Sequence, residues 1–473
     1  MADGKINRPY GGVLLLGIFL TPLLSLGHDY ADGIITAKYF RFAEVVGIGL
    51  LLTWMVAWKR NFQFCFRWVD VGVVLFALYG VGSFLLNDFR GETQTLLLIL
   101  LVGLYFVCRG LGGWKVSQRL LFTFVLLLAG SIEAIWGFLQ VYGWADQYHS
   151  LYRLTGSFFN PGPYSGFLAV ILPVALHTLL GPQPLCRVDK IVYGLGVICL
   201  VSIILVLPAG MSRSAWVAAG AGCGVVVWRQ KRSREYVRRG IGRIGRGWKR
   251  CWLGGILLLG LSIGGGLYLL KKDSADGRLL VWKMDLAVMR SQPWLGIGIG
   301  RYPGALGEAQ AVYFANSPAD PREEYVADAP EYGFNEFLQL GGEYGLIGLC
   351  LFISITGIAS GGLFKRNTQQ TGGVSGALSA FLVFACFSYP LHMLPMAMLF
   401  VLLLAWSVNV GAKGVRIRRW AGQILWLPVM VLGLVAAWRL TEKETAYKTW
   451  KTARAYFRQG DYQEALNLSL IHI

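Results

Sequence analysis

Four groups of residues in this chain have the type and spacing to do chemistry. The first is Arg213, in Met211-Ser212-Arg213-Ser214-Ala215-Trp216 at the start of an apolar run. The second is Arg278 with Trp282, four residues apart, so that both point one way if that stretch is helical. Two guanidinium groups on one face grip a pyrophosphate with forked hydrogen bonds, which lysine does less well. The plainer readings are an arginine snorkelling to the lipid headgroups at 213 and a salt bridge from Arg278 to Asp276 or Asp285. The third group is Glu331, Asn335 and Glu336, clustered where a long polar stretch returns to an apolar one. A carboxylate there serves as a general base if burial raises its pKa, and is otherwise an exposed acid in an acidic loop. The fourth is Glu133 and Gln140, seven residues apart on one helix face. They either line a polar cavity or hydrogen-bond to neighbouring helices as a buried pair.

The elements that must position these residues are membrane helices. The chain has 473 residues, of which 55% are hydrophobic and 15% charged, with a mean hydropathy of +0.52. Soluble globular chains carry roughly a quarter charged residues, and apolar runs of about 18 residues recur here from end to end. The predicted fold is an all-α polytopic membrane protein with about 12–13 transmembrane helices and one long loop, 271–338. Non-helical backbone of that length is tolerated only where it meets water or lines a cavity, which makes the loop the expected roof of a site. The net charge of +18 does not point to nucleic acid, because the basic residues fall in alternate short links, as the positive-inside rule describes, and no soluble basic module exists. The alternation puts the N-terminus in the cytoplasm, and the loop 271–338, the links 28–36, 87–92, 143–164, 208–213 and 388–392, and the C-terminal tail on the opposite side. On that outer face arginine is disfavoured, so Arg213 there implies an anionic partner. Cysteine spacing suggests neither a disulfide framework nor a zinc site; no metal and no cofactor is expected.

A helix is expected over about 251–270, before the loop, and another over about 343–364, after it. A last one, about 420–438, leads into a polar tail, 441–473, distinct from the membrane domain 1–440. Around Gly460-Asp461-Tyr462 the tail has the pattern of the first helix pair of a tetratricopeptide repeat, a unit that needs roughly three copies to bury its own face. The natural protein is therefore expected to be longer, or Ser469–Ile473 not to be native. An envelope protein partner is a candidate for this tail, and an amphipathic helix on the membrane surface is the alternative.

Four pieces in order resemble the O-antigen ligase and O-antigen polymerase superfamily: Glu133 through Gln140; Leu154-Thr155-Gly156-Ser157-Phe158-Phe159-Asn160-Pro161; Ser212 through Trp216; and the run from Arg278 through Pro293, Gly296 and Gly298 to Asn335-Glu336-Phe337-Leu338-Gln339, ending Glu343-Tyr344-Gly345. The resemblance implies transfer of a glycan from an undecaprenyl-pyrophosphate carrier to lipid A core, another glycan or a protein, at the periplasmic face of a bacterial inner membrane. It implies Arg213 and Arg278 for the pyrophosphate, and a cavity lined by Glu133, Gln140, Asn160, Tyr332 and Glu336. It also implies a histidine before Asn335, where this chain has Phe334, and none lies between His177 and His392. Glu331 is the expected replacement as base, with Asn335 orienting it or the acceptor; Glu336 or Asp328, a reaction that needs no base, or a divergent or inactive member are the alternatives. Anomeric inversion is expected, as the acceptor hydroxyl attacks opposite the leaving pyrophosphate. Chain elongation of the polymerase type and a transporter or flippase of lipid-linked sugars are the alternatives.

Overall fold

Backbone N–H and C=O groups find no water in a bilayer, so long apolar runs satisfy them internally as helices. A computed structural model of the chain bears this out. It describes residues 10–27, 33–59, 65–87, 91–110, 116–149, 151–182, 184–230, 272–316, 320–366, 368–409, 415–416 and 419–470. Before the loop come α1 (Tyr10–Leu24), α2 (Ile34–Lys59), α3 (Trp68–Leu86), α4 (Glu92–Gly110), α5 (Val116–Val141), α6 (Pro161–Leu180), α7 (Arg187–Val206) and α8 (Arg213–Arg229). The expected helix over 251–270 lies outside the described residues. Then follow α9 (Lys272–Ser291), α10 (Tyr302–Asn316), α11 (Pro321–Val326), α12 (Glu336–Phe364), α13 (Thr368–Ala385), α14 (Leu394–Asn409), α15 (Arg419–Gln459) and α16 (Tyr462–Leu470). Helices α3 to α7 and α12 are long and apolar enough to cross a membrane, and α1, α13 and α14 carry shorter apolar stretches. The protein is an all-α, multi-pass membrane protein.

The links sort to two ends, as the charge alternation requires. At one end Asp70 and Arg109 form a buried ion pair at 2.8 Å. Arg109 reaches the Cys65 carbonyl at 2.8 Å and the Asn409 side chain. Strand Cys65–Phe66 pairs antiparallel with Val415–Arg416 close by. Also among the basic links, Arg229 closes the end of α12 by donating to the Leu363 and Arg366 carbonyls at 3.1 Å and to Thr371 Oγ1 at 2.7 Å. At the other end the loop meets the remaining links: Arg301 donates to Asn87 at 3.1 Å, and Arg278 donates to the Phe387 carbonyl at 2.9 Å.

Three boundaries differ from expectation, each for a local reason. The loop is itself helical over α9, α10 and α11, so Arg278 and Trp282 do share a helix face. Helix α12 begins at Glu336, seven residues before the expected start, because Asn335 caps it: its side-chain oxygen accepts from the Phe337 and Leu338 N–H groups at 3.1 and 3.3 Å. Helix α15, expected to stop near 438, continues to Gln459. No Gly or Pro interrupts Arg439–Gln459. Gly460, at φ 85°, turns the chain into α16, with Ala453 and Ala465 both buried.

Candidate active site

Helix α12 is broken near its start, and the break builds one wall of the site. Gly345 has φ 62° and ψ −173°, a conformation open in practice only to glycine. Residues 293–298 fill the gap. Ile297 N–H donates to Gly342 O at 2.9 Å, Gly298 N–H to Glu343 O at 3.0 Å, Leu346 N–H to Pro293 O at 2.8 Å and Ile347 N–H to Trp294 O at 3.4 Å. The Tyr79 hydroxyl, from α3, locks the join by donating to Tyr344 O at 2.8 Å and Leu295 O at 3.1 Å. A Cβ on Gly296 would strike the Glu343 carbonyl, and one on Gly345 the Trp294 carbonyl. The Trp294-Leu295-Gly296-Ile297-Gly298 sequence is thus a wedge that satisfies the backbone of an interrupted membrane helix.

Beneath the wedge lies a cavity of about 250 Å³. Its upper rim carries Gln94, Tyr332, Glu336, Glu343 and His392, and its depth is apolar down to Tyr105 and Leu404. From Gln94 to Tyr105 along α4 is about 16 Å, half of a hydrocarbon core about 30 Å thick.

His392 stands at that rim, in the turn Pro390–His392 between α13 and α14. Its Nδ1 is 3.2 Å from Glu336 Oε1, and its Nε2 is 3.7 Å from Glu343 Oε2 and 2.9 Å from Gln339 Nε2. Glu336 is held from behind by the Leu391 N–H at 2.9 Å. Burial works against a charge on the imidazole, but the Glu336 and Glu343 carboxylates outweigh it and push its pKa up to about 10. The sequence separation of 53 between Gln339 and His392 hid this cluster from sequence reading. A signal was present, since Gln339, Glu336 and Glu343 are spaced three, four and seven apart on one helix face.

Arg278 lies across a plate of aromatic rings from His392. The Arg278 guanidinium sits 5.0 Å from the Phe334 ring centre. Phe334 meets Tyr389 edge-on at 5.4 Å, Tyr389 stacks on Tyr332 at 4.2 Å, and Tyr332 lies 5.9 Å from the His392 ring. Phe334 has φ 50°, unusual for a residue with a side chain. Burial, and then the charge of nearby Arg213, lower the pKa of Arg278; neither arginine lines the cavity. The acids expected to compete for Arg278 are taken: Asp276 pairs with Arg322 at 2.6 Å, and Asp285 accepts from the Tyr302 hydroxyl. No ion pair to Arg278 exists among the described residues.

The other expected site residues are placed as follows. Tyr332 and Glu336 line the cavity. Glu331 is exposed, so the burial on which its role as base rested is absent, although it hydrogen-bonds the Tyr332 hydroxyl, and the Asn335 side-chain oxygen caps α12. Glu133 and Gln140 are buried and tie down the link 154–157. Gln140 Oε1 accepts from the Thr155 and Gly156 N–H groups at 2.9 and 2.7 Å. Glu133 accepts from the Ser157 N–H at 2.9 Å, with Lys38 on the Ser157 hydroxyl at 3.3 Å. Asn160 caps α6 through the Gly162 N–H at 2.8 Å. Among the described residues, no three His, Cys, Asp or Glu side chains gather as a metal site.

Residues 198–353 match a family model described as O-antigen ligase. That segment holds Arg213, Arg278, the wedge and the Glu336–Glu343 face, and stops short of His392. No curated protein matches the chain.

Proposed function

We propose that this chain, which belongs to the O-antigen ligase superfamily over residues 198–353, transfers a glycan from an undecaprenyl-pyrophosphate carrier to an acceptor hydroxyl. The observation that carries the reading is the arginine pair. A half-buried guanidinium beside a second one, with its nearby acids engaged elsewhere, is poised for an anion. A lipid pyrophosphate meets that need, and the same charges stabilise it as it leaves. The apolar cavity matches a substrate or acceptor with a lipid chain. The acceptor is lipid A core, another glycan, or a protein; transfer to a second carrier-borne glycan, as in chain elongation, uses the same geometry. The positive-inside pattern supports a cytoplasmic N-terminus with the loop and the tail on the opposite side, which for this family is the periplasmic face of the inner membrane. The helical turn at Gly460 supports a docking role for the tail toward an envelope partner.

The test is transfer by purified protein from a lipid-pyrophosphate-linked oligosaccharide, followed as release of the carrier. Arg213→Lys and Arg278→Lys keep the charge and lose the fork, and each is expected to slow release by about 10²-fold with expression intact. Normal release by both variants would remove the pyrophosphate assignment.

A further inference from the structure

We propose that His392 is the general base of this transfer and that Glu336 is the residue that positions it. The proposal rests on the transfer reading above, and it assigns the proton to a residue outside the segment that matches the family.

Three observations carry it. The imidazole faces the cavity, while Arg278 lies beyond the rings of Tyr332, Tyr389 and Phe334. A displacement with inversion brings the nucleophile in opposite the leaving group, so the base belongs on the side away from the pyrophosphate. The tautomer is also set by the neighbours. Gln339 Oε1 accepts from the Gly333 N–H at 2.9 Å, which turns the amide NH₂ of Gln339 toward His392 Nε2 at 2.9 Å. In the neutral imidazole, the form able to take a proton, a donor there calls for a lone pair on Nε2, and the ring proton then sits on Nδ1, facing Glu336 Oε1 at 3.2 Å. Both Nδ1 and Oε1 are buried and neither has a hydrogen-bond partner among the described residues, so each is the nearest opposite group the other can pair with. Finally, Glu343 Oε2, 3.7 Å from Nε2, stands where it stabilises the imidazolium once a proton arrives.

In the step itself the acceptor hydroxyl displaces the Gln339 N–H from Nε2. The hydroxyl proton passes to Nε2 and the acceptor oxygen bonds to the anomeric carbon. The bond from that carbon to the phosphate oxygen breaks, and its electron pair leaves with the pyrophosphate. The titratable and charged groups around the ring are Glu336 and Glu343 from α12, Tyr332 from the link before it, Tyr39 from α2 and Tyr389 from the same turn, with Glu331 on the Tyr332 hydroxyl and Arg278 beside Tyr389 behind them. The two carboxylates hold a proton on the ring below the alkaline range, and the Gln339 donor opposes them.

The experiment is a pH–rate profile of carrier release from the lipid-pyrophosphate-linked oligosaccharide, read from mildly acidic to strongly alkaline solution. The wild-type rate is expected to rise along one alkaline limb. Glu343→Gln removes a charge that favours the imidazolium and is expected to move that limb toward acid by about one pH unit or more. His392→Gln is expected to lower the rate by about 10²–10⁴-fold, to lose the limb and to keep donor binding. His392→Ala is expected to regain rate with added imidazole, which a purely structural histidine would not do. A His392→Gln protein with the wild-type rate and limb overturns the assignment and leaves the transfer reading standing. So does a limb unmoved in Glu343→Gln. A wild-type protein that releases no carrier from this donor overturns the transfer reading itself.

Discussion

Replacing Gly345 by alanine tests whether the wedge holds the site. At φ 62° and ψ −173° a residue with a side chain is strained by about 1–3 kcal/mol. The added Cβ would also strike the Trp294 carbonyl and come within 2.6 Å of Gly296 N. These are backbone atoms, so the wedge must withdraw. The bonds nearest the clash, Leu346 N–H to Pro293 O and Ile347 N–H to Trp294 O, are then lost at about 1 kcal/mol each. The total is about 3–5 kcal/mol, a large share of the roughly 5–15 kcal/mol that hold a typical folded protein together. Gly357→Ala is the control. It lies on the same helix, is exposed, and has open space where its Cβ would go, so alanine is expected to stabilise by about 0.5–1 kcal/mol. The assay is the thermal midpoint of the purified protein in detergent, with carrier release measured alongside. Gly345→Ala is expected to melt well below both wild type and Gly357→Ala, and to release carrier slowly because Glu343 shifts from His392. A Gly345→Ala protein that melts with the control and turns over normally would show that the break bears no structural weight.

Asp285 is buried in the loop helix α9, and desolvation raises its pKa to about 7 despite the Tyr302 hydroxyl. Its folded pKa lies above the unfolded value, so the folded loop holds a proton that the unfolded chain has released. Stability from this group therefore falls as pH rises from about 4 to 7, by up to about 4 kcal/mol. Asp285→Asn is expected to flatten the pH dependence of loop proteolysis over that window and to protect the loop above it. At the other end of the molecule, Asp70→Ala leaves Arg109 buried without its carboxylate and is expected to cost about 3–5 kcal/mol, seen in the melting midpoint; Asp70→Leu combined with Arg109→Met is expected to recover much of it.

The helices, their alternating ends and the place of the loop were legible because each is a local property: an apolar run, a charged link, a polar stretch too long for the membrane. Arg213 and Arg278 were legible for a related reason, since an arginine on the disfavoured face stands out without any contact being known. The Gln292–Gly298 stretch signalled itself by its glycines, but its partner did not. Only the fold shows that Gly345, about fifty residues on, opens a gap of matching shape. Glu331 and Glu336 separate for the same reason. Both are acids at the loop's return, yet the Asn335 cap starts α12 between them, leaving Glu331 exposed on the Tyr332 hydroxyl and turning Glu336 inward. His392 was named only as the next histidine along the chain, because its role depends on a turn between two later helices docking onto α12.

That docking makes the loop more than a roof. The Glu343 carbonyl accepts from the wedge at Gly298, while the Glu343 carboxylate faces His392. One residue thus joins the loop's position to the electrostatics of the proposed base. Asp285 and Tyr302 crowd Gly333 from the loop side, within 2.9 Å of where its Cβ would be, and the Gly333 N–H orients Gln339 against His392. Two independent routes therefore run from the loop to the same imidazole, one through the broken helix and one through the turn before it. A loop displaced by an ångström would alter both the proton affinity of Nε2 and the donor that competes for it. Mutations in the wedge are accordingly expected to act on the pH profile of transfer as well as on its rate, whereas mutations on the lipid-facing side of the same helix, such as Gly357→Ala, leave the profile where it is.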